Sequence, residues 1–139
     1  MPILTRVYIK TSLIYLVAAL LVGGVLALAS VVDLPPALRS LSPVYFHLFM
    51  VGWITQLIVG MLYWMLPKYS KEKPRGHDPL WWATYVLLNT GLLLRVAAEP
   101  ANALMAGAAW QWGLALSALL QWLAGLTLIA AAWPRVKMR

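Results

Sequence analysis

The sequence contains no cysteine, and it is poor in charged residues, above all in acidic ones. Without cysteine the chain can form no disulfide, iron–sulfur cluster or thiolate metal site. Charged residues make up only 11% of the 139 residues, with 4 Asp and Glu against 11 Lys and Arg. We recognise no phosphate-binding loop, nucleophile–base pair or carboxylate dyad, so an enzyme that is catalytic on its own is not indicated.

Apolar residues dominate the chain instead. They account for 63% of the residues, and the mean hydropathy is +0.78. A water-soluble domain is usually about half apolar and about a quarter charged. This composition therefore argues against an ordinary soluble domain and excludes a disordered chain.

Four uncharged stretches are long enough to cross a bilayer, whose hydrocarbon core of roughly 30 Å needs about 20 helical residues. They run from Thr11 to Val32, from Leu41 to Pro67, from Pro79 to Leu94 with an extension to Ala98, and from Ala108 to Trp133. Backbone polar groups in lipid need internal partners, so helices are expected. We predict an all-α, integral membrane four-helix bundle with helices at about 11–32, 44–66, 80–98 and 109–133.

Prolines mark the limits of these stretches. Pro35 and Pro36 follow the first, Pro43 starts the second, Pro100 ends the third and Pro134 follows the fourth. Proline suits helix ends because it lacks an N–H group and restricts the residue before it. The whole chain, residues 1–139, is predicted to form one transmembrane domain. Its first stretch exceeds the apolar core of a signal peptide, so we expect it to be retained.

The basic residues predict the orientation of the bundle. Nine of the eleven fall on one side of the predicted helices: Arg6, Lys10, Lys68, Lys71, Lys73, Arg75, Arg135, Lys137 and Arg139. Cytoplasmic loops are enriched in Lys and Arg, so both termini are predicted to be cytoplasmic, in the inner membrane of a bacterium or archaeon. The basic charge is thus an orientation signal, with some affinity for anionic lipid, and we expect no nucleic-acid partner.

Three amides fall near the middle of the predicted helices: Gln56, Asn89 and Gln121. Small residues at four-residue spacing accompany the two glutamines, including Gly52 and Gly60 beside Gln56. Such patterns typically let helices approach and bond across their contact, and a proton or quinone path is the alternative reading. No Asp or Glu lies inside a predicted helix, which argues against an acid-coupled pump or transporter.

His47 is the only histidine inside a predicted helix. At 100° per residue it shares an apolar, methionine-rich face with Met50, Ile58 and Met65, whereas Gln56 and the glycines lie on the other side. An imidazole on such a face could hold a flat apolar cofactor. The alternative is a histidine near the interface that is hydrogen-bonded to a neighbour or to water.

Arg95 is predicted to lie near the same outer level as His47. Glu99 follows at i+4 and is its obvious local partner. The alternative is that Arg95 receives an anionic ligand group, such as a haem propionate.

The second stretch resembles helix II of the haem–copper oxidase superfamily, whose members include cytochrome oxidases and bacterial nitric oxide reductases. The resemblance rests on Tyr45-Phe46-His47-Leu48-Phe49-Met50-Val51-Gly52-Trp53 and on Gly60-Met61-Leu62-Tyr63-Trp64-Met65-Leu66-Pro67. In that family this histidine ligates the low-spin haem and arginines hold its propionates. The resemblance therefore implies His47 as an axial ligand of haem b, whereas Arg95 matches no family motif.

The chain also departs from that family, because it lacks the later helices with the other haem and copper histidines. A second axial ligand could come from His47 of a second chain in a homodimer, from Met50 or from Met105, and a five-coordinate haem is a further alternative. We expect a small haem-carrying protein or subunit in respiratory or denitrification electron transfer. The alternatives are a cofactor-free accessory subunit of a larger respiratory complex and a small transporter of neutral solutes.

Overall fold

Four long helices make up the fold. The computed structural model describes residues 1–136, so Lys137 and Arg139 of the predicted basic side lie outside the described residues. The helices are α1 (Ile3–Leu28), α2 (Pro36–Met65), α3 (Asp78–Leu104) and α4 (Ala108–Arg135). Each is long and apolar enough to cross a membrane, and residues 1–136 contain no strand. The protein is thus all-helical, with the build of a multi-pass membrane protein.

Four helix ends differ by four residues or more from the predicted positions. Two of them lie between the first two helices, where α1 ends at Leu28 rather than at 32 and α2 begins at Pro36 rather than at 44. α1 begins at Ile3, well before Thr11, so its first turns include Arg6 and Lys10, both exposed. Long basic side chains can extend from a helix end into the polar interface, so their charge does not end the helix. α3 continues through Pro100 to Leu104. Pro100 lacks the N–H group that would bond the carbonyl of Val96, so α3 continues past it with one backbone hydrogen bond fewer.

α2 is not a uniform helix. It opens with a short turn at Pro36–Arg39, then continues as an α-helix at Ser42–His47, a π-helix at Leu48–Thr55 and an α-helix again at Gln56–Met65. The hydroxyl of Thr55 donates to the carbonyl of Met50, five residues earlier, at 2.8 Å. The widened turn therefore begins directly after His47 and ends directly before Gln56.

The helices pack around two clusters of buried side chains. The cluster at the end that carries Arg6 and the 66–77 loop, here called the basic end, consists of Leu4, Tyr8, Val59, Tyr63, Trp81 and Ala131. The cluster toward the opposite end, here called the far end, consists of Tyr15, Ala19, Val44, Leu48 and Leu92. Residues of α1, α2 and α3 meet in both clusters, so these three helices share one interior.

Glycines of α2 allow α1 to approach closely. A methyl group placed on Gly60 would lie 2.6 Å from the Cβ atom of Tyr8, and one on Gly52 would lie 2.8 Å from the Cγ atom of Tyr15. Both contacts involve atoms near the α1 backbone, which cannot turn away. The spacing between α1 and α2 therefore depends on the absence of a side chain at these two positions.

The guanidinium of Arg135 joins the end of α4 to the end of α2. It is fully buried and donates to the carbonyls of Tyr63, Leu66 and Pro67 at 3.1, 2.7 and 3.1 Å. It also lies over the ring of Trp81, 5.6 Å from the ring centroid. The last carbonyls of a helix have no partner within it, so Arg135 supplies donors that α2 itself lacks.

We predict that Gly60→Ala destabilises the bundle by about 1–3 kcal/mol, because the new methyl group must push α1 away from α2. Thermal unfolding in detergent should show a lower Tm. Gly24→Ala is the matched control, because nothing lies within 4 Å of the added methyl group. That control should be neutral or stabilising by up to ~1 kcal/mol, as alanine favours a helix over glycine. Equal Tm values for the two variants would contradict the close approach at Gly60.

Candidate functional site

α1 turns a face rich in hydroxyl groups toward the interior. Its buried residues include Thr5, Tyr8, Ser12 and Tyr15, whereas Ile14, Leu20 and Leu21 are exposed. Our sequence reasoning missed this face, since it treated the first stretch only as an apolar span. The spacing of the four hydroxyl residues by three or four positions was the available signal.

Asn89 is the centre of a hydrogen-bond network between three helices. The hydroxyl of Tyr15 on α1 donates to its Oδ1 atom at 3.0 Å. Its Nδ2 atom donates to Oε1 of Gln56 on α2 at 2.9 Å and to the carbonyl of Tyr85 at 2.8 Å. The expectation that mid-helix amides bond across helix contacts is confirmed for Gln56 and Asn89.

Further hydrogen bonds join α3 to its neighbours on both sides. Toward α1, the hydroxyl of Tyr8 donates to the carbonyl of Trp81 at 2.9 Å, and the hydroxyls of Thr11 and Tyr85 bond at 2.9 Å. Toward α4, the hydroxyl of Ser117 donates to the carbonyl of Gly91 at 2.7 Å. Gln121 differs from the other two amides, because its Nε2 atom donates to Ser117 on its own helix, at 3.1 Å.

His47 lies outside this interior. Its ring is half-buried near the far end of α2, and Nδ1 is 2.8 Å from the carbonyl oxygen of Pro43, one turn earlier. A carbonyl oxygen only accepts hydrogen bonds, so Nδ1 carries the proton in this contact. In the neutral ring Nε2 then bears the lone pair. The hydrogen bond to a neighbour, which was the alternative to cofactor binding, is therefore present. The second ring nitrogen, Nε2, remains available as a ligand atom.

The face of α2 that was predicted to be methionine-rich is turned outward. Met50, Ile58 and Met65 are exposed, whereas Gly52, Gln56 and Gly60 are buried. The predicted division of α2 into two faces is confirmed. A flat cofactor held at His47 would therefore lie on the outer surface of the bundle, where a second protein surface would have to cover it.

Arg95 forms the predicted ion pair with Glu99. Its Nη2 and Nε atoms lie 2.9 and 3.0 Å from Oε1 of Glu99, and both side chains are largely buried. The bond between Gln56 and Asn89 sets the relative height of α2 and α3. His47 and Arg95 both lie on the far-end side of that bond.

Met105 ends α3 at the far end and is 67% exposed. Met50 belongs to the π-helical segment of α2 and is 40% exposed. Neither side chain is enclosed by the bundle.

π-helical turns occur frequently at functional sites, and this one begins beside His47. Nothing in the apolar sequence of residues 48–55 indicated that the helix would widen there.

An apolar groove of about 190 Å³ lies between α2, α3 and α4. Its few polar groups come from threonines and from Gln121. It is lined by Val51, Thr55, Val59, Thr84, Leu88, Gln121, Ala124, Gly125 and Leu128. His47 does not line this groove, so the groove and the histidine are separate features of the surface.

Comparisons with protein-family models, curated proteins and solved structures found no match to this chain. Within residues 1–136 no three His, Cys, Asp or Glu side chains lie close enough together to hold a metal ion. The candidate site therefore rests on one imidazole, whose Nε2 atom has no hydrogen-bond partner in the described residues, next to an exposed apolar face.

We predict that Asn89→Leu destabilises the bundle by about 1–2 kcal/mol, because the hydroxyl of Tyr15 and the Oε1 atom of Gln56 both lose their partner. The control is Thr90→Val, one residue away on the exposed side of α3. Thermal unfolding in detergent should show a lower Tm for Asn89→Leu and little change for Thr90→Val. A Tm unchanged by Asn89→Leu would contradict the importance of the network.

Proposed function

We propose that this protein binds haem b through His47 and serves in respiratory or denitrification electron transfer. The observation that carries the proposal is the hydrogen bond from Nδ1 of His47 to the carbonyl of Pro43. Metal-bound histidines commonly donate their other ring N–H to a backbone carbonyl, which fixes the ring and keeps the ligating nitrogen free. The resemblance of residues 45–67 to helix II of the haem–copper oxidases points to the same imidazole.

The residues present fit one axial ligand but do not enclose a porphyrin. Haem held by an imidazole supplies one-electron transfer chemistry. His47 would hold it on the outward face of α2, beside the exposed side chains of Phe46 and Met50. A homodimer with two such faces in contact would exclude lipid from both sides of the haem. The second ligand would then be His47 of the second chain, with Met50 or Met105 as alternatives.

Arg95 is a weaker candidate for binding a propionate. Its guanidinium already contacts Glu99 at 2.9 Å, and 24% of its side chain is exposed. A propionate would have to compete with Glu99 for the same donors. Glu99 instead compensates a charge that would otherwise be costly at this depth.

The charge distribution supports an orientation in the membrane. In the described part of the chain, Arg6, Lys10, Lys68, Lys71, Lys73, Arg75 and Arg135 lie at the basic end. Arg39 and Arg95 lie toward the far end, each paired with an acidic residue. We place the basic end in the cytoplasm because cytoplasmic loops are enriched in Lys and Arg. The membrane would be the inner membrane of a bacterium or archaeon.

We predict that the protein, purified after expression with ample haem, shows a Soret band that His47→Ala reduces at least about tenfold. His77→Ala is the matched control, because His77 is exposed at the basic end and should not affect the band. His47→Ala should fold, since the lost hydrogen bond lies within one turn of its own helix. Absorbance spectra and haem content per chain test this, and about one haem per two chains would support the shared site.

A Soret band that survives His47→Ala would exclude His47 as the ligand. Absence of any band in the unmodified protein would contradict the haem proposal. In that case, co-purification with larger respiratory subunits would support the cofactor-free accessory role. A haem-free protein recovered without partners would contradict both roles.

A further inference from the structure

The loop between α2 and α3, residues 66–77, presents lysines that form no ion pair with an acidic side chain of residues 1–136. Lys68, Lys71 and Lys73 are exposed. Among residues 1–136 the ion pairs within 4.0 Å are Arg39–Asp33 and Arg95–Glu99, both outside this loop. The three ammonium groups are therefore available to an anionic ligand.

Hydrogen bonds within the loop give it a defined shape. The N–H groups of Tyr69 and Gly76 donate to the carbonyls of Pro74 and Lys73 at 3.2 and 3.0 Å. The N–H of Lys73 also donates to the hydroxyl of Ser70 at 2.9 Å. Gly76 has a φ of 75°, which glycine adopts without strain. The lysines are thus carried on a folded turn.

Two arginines attach this turn to the helices. Arg75 donates to the carbonyl of Trp64 at 2.7 Å, and Arg135 donates to the carbonyls that end α2. The Cδ atom of Arg135 also lies 3.8 Å from the position of a methyl group on Gly76. Because Arg75 and Arg135 hold the loop against the bundle, they leave the lysines to face outward.

The turn borders an open depression of about 410 Å³ that is lined by Lys68, Tyr69, Ser70, Lys71 and Pro74. The loop starts just after Met65, the last residue of α2, and exposed tryptophans belong to the two helix ends that it joins, Trp64 on α2 and Trp82 on α3. Tryptophans concentrate at the level of lipid headgroups. In a bilayer spanned by these helices, the loop would therefore lie near the phosphates of the phospholipids.

We propose that this loop binds the headgroup of an anionic phospholipid, with the ammonium groups of Lys68 and Lys71 contacting its phosphate. Basic clusters immediately beside a transmembrane helix attract anionic lipid. A preorganised turn does so at one place, because little conformational freedom is lost when the headgroup binds. The inference is independent of haem binding.

The experiment titrates phosphatidylglycerol or phosphatidylcholine into the full chain in a neutral detergent and obtains the apparent Kd from the fraction of lipid-bound chain, measured by native mass spectrometry. The variant is Lys68→Gln/Lys71→Gln. The matched control is Arg6→Gln/Lys10→Gln, which removes the same charge from exposed positions at the same end of the bundle. Circular dichroism verifies that both variants keep their helix content.

We expect the unmodified chain to prefer phosphatidylglycerol. Its affinity for this lipid should fall at least about fivefold in the loop variant and less than about twofold in the control, as each nearby lysine contributes up to roughly a fivefold attraction. Equal losses in both variants would overturn the proposal in favour of diffuse attraction by the basic end. No loss in the loop variant would overturn it as well.

Two competitors distinguish other ligands. Inorganic phosphate at millimolar concentration should not displace the lipid, and full displacement would show a site for free phosphate instead. A short RNA or acidic peptide that binds the loop more tightly than phosphatidylglycerol would show that the surface serves a macromolecule.

Discussion

A polar side chain buried inside this apolar bundle is costly unless it is hydrogen-bonded within the bundle. The rest of the structure depends on how that requirement is met at Asn89. Its carboxamide binds Tyr15 on α1 and Gln56 on α2, so three helices are joined at one height. The same network holds α1, α2 and α3 in register.

Close packing makes these short hydrogen bonds possible. Gly52 and Gly60 bring α2 against the side chains of Tyr15 and Tyr8, which fills the interior with rings and hydroxyls. Since this interior is full, His47 is left on the outside with its Nε2 atom free. The chain separates its structural polar groups, which face inward, from its candidate ligand, which faces outward. A function at His47 thus depends on what covers the outer surface.

The two ends of the bundle use charge differently. At the far end, Arg95 is neutralised by Glu99 within a single helix. At the basic end, Arg135 is buried against the carbonyls of α2 and the ring of Trp81. The loop lysines have no such partner, so positive charge accumulates on one surface only. The orientation inferred from composition and the lipid site inferred from geometry both follow from this asymmetry.

The amino-acid sequence alone determined that the chain forms four apolar helices and that Gln56 and Asn89 serve a helix contact. It also indicated the two faces of α2 and the pairing of Arg95 with Glu99. These features depend on composition and on neighbours within a few residues, which local patterns record. The π-helical turn after His47 and the burial of Arg135 became known only from the tertiary structure. The burial of Arg135 depends on carbonyls of a helix that is distant in sequence, where packing space and available hydrogen-bond partners select the conformation. The hydroxyl face of α1 was written in the spacing of its residues, but its partners on α3 were not.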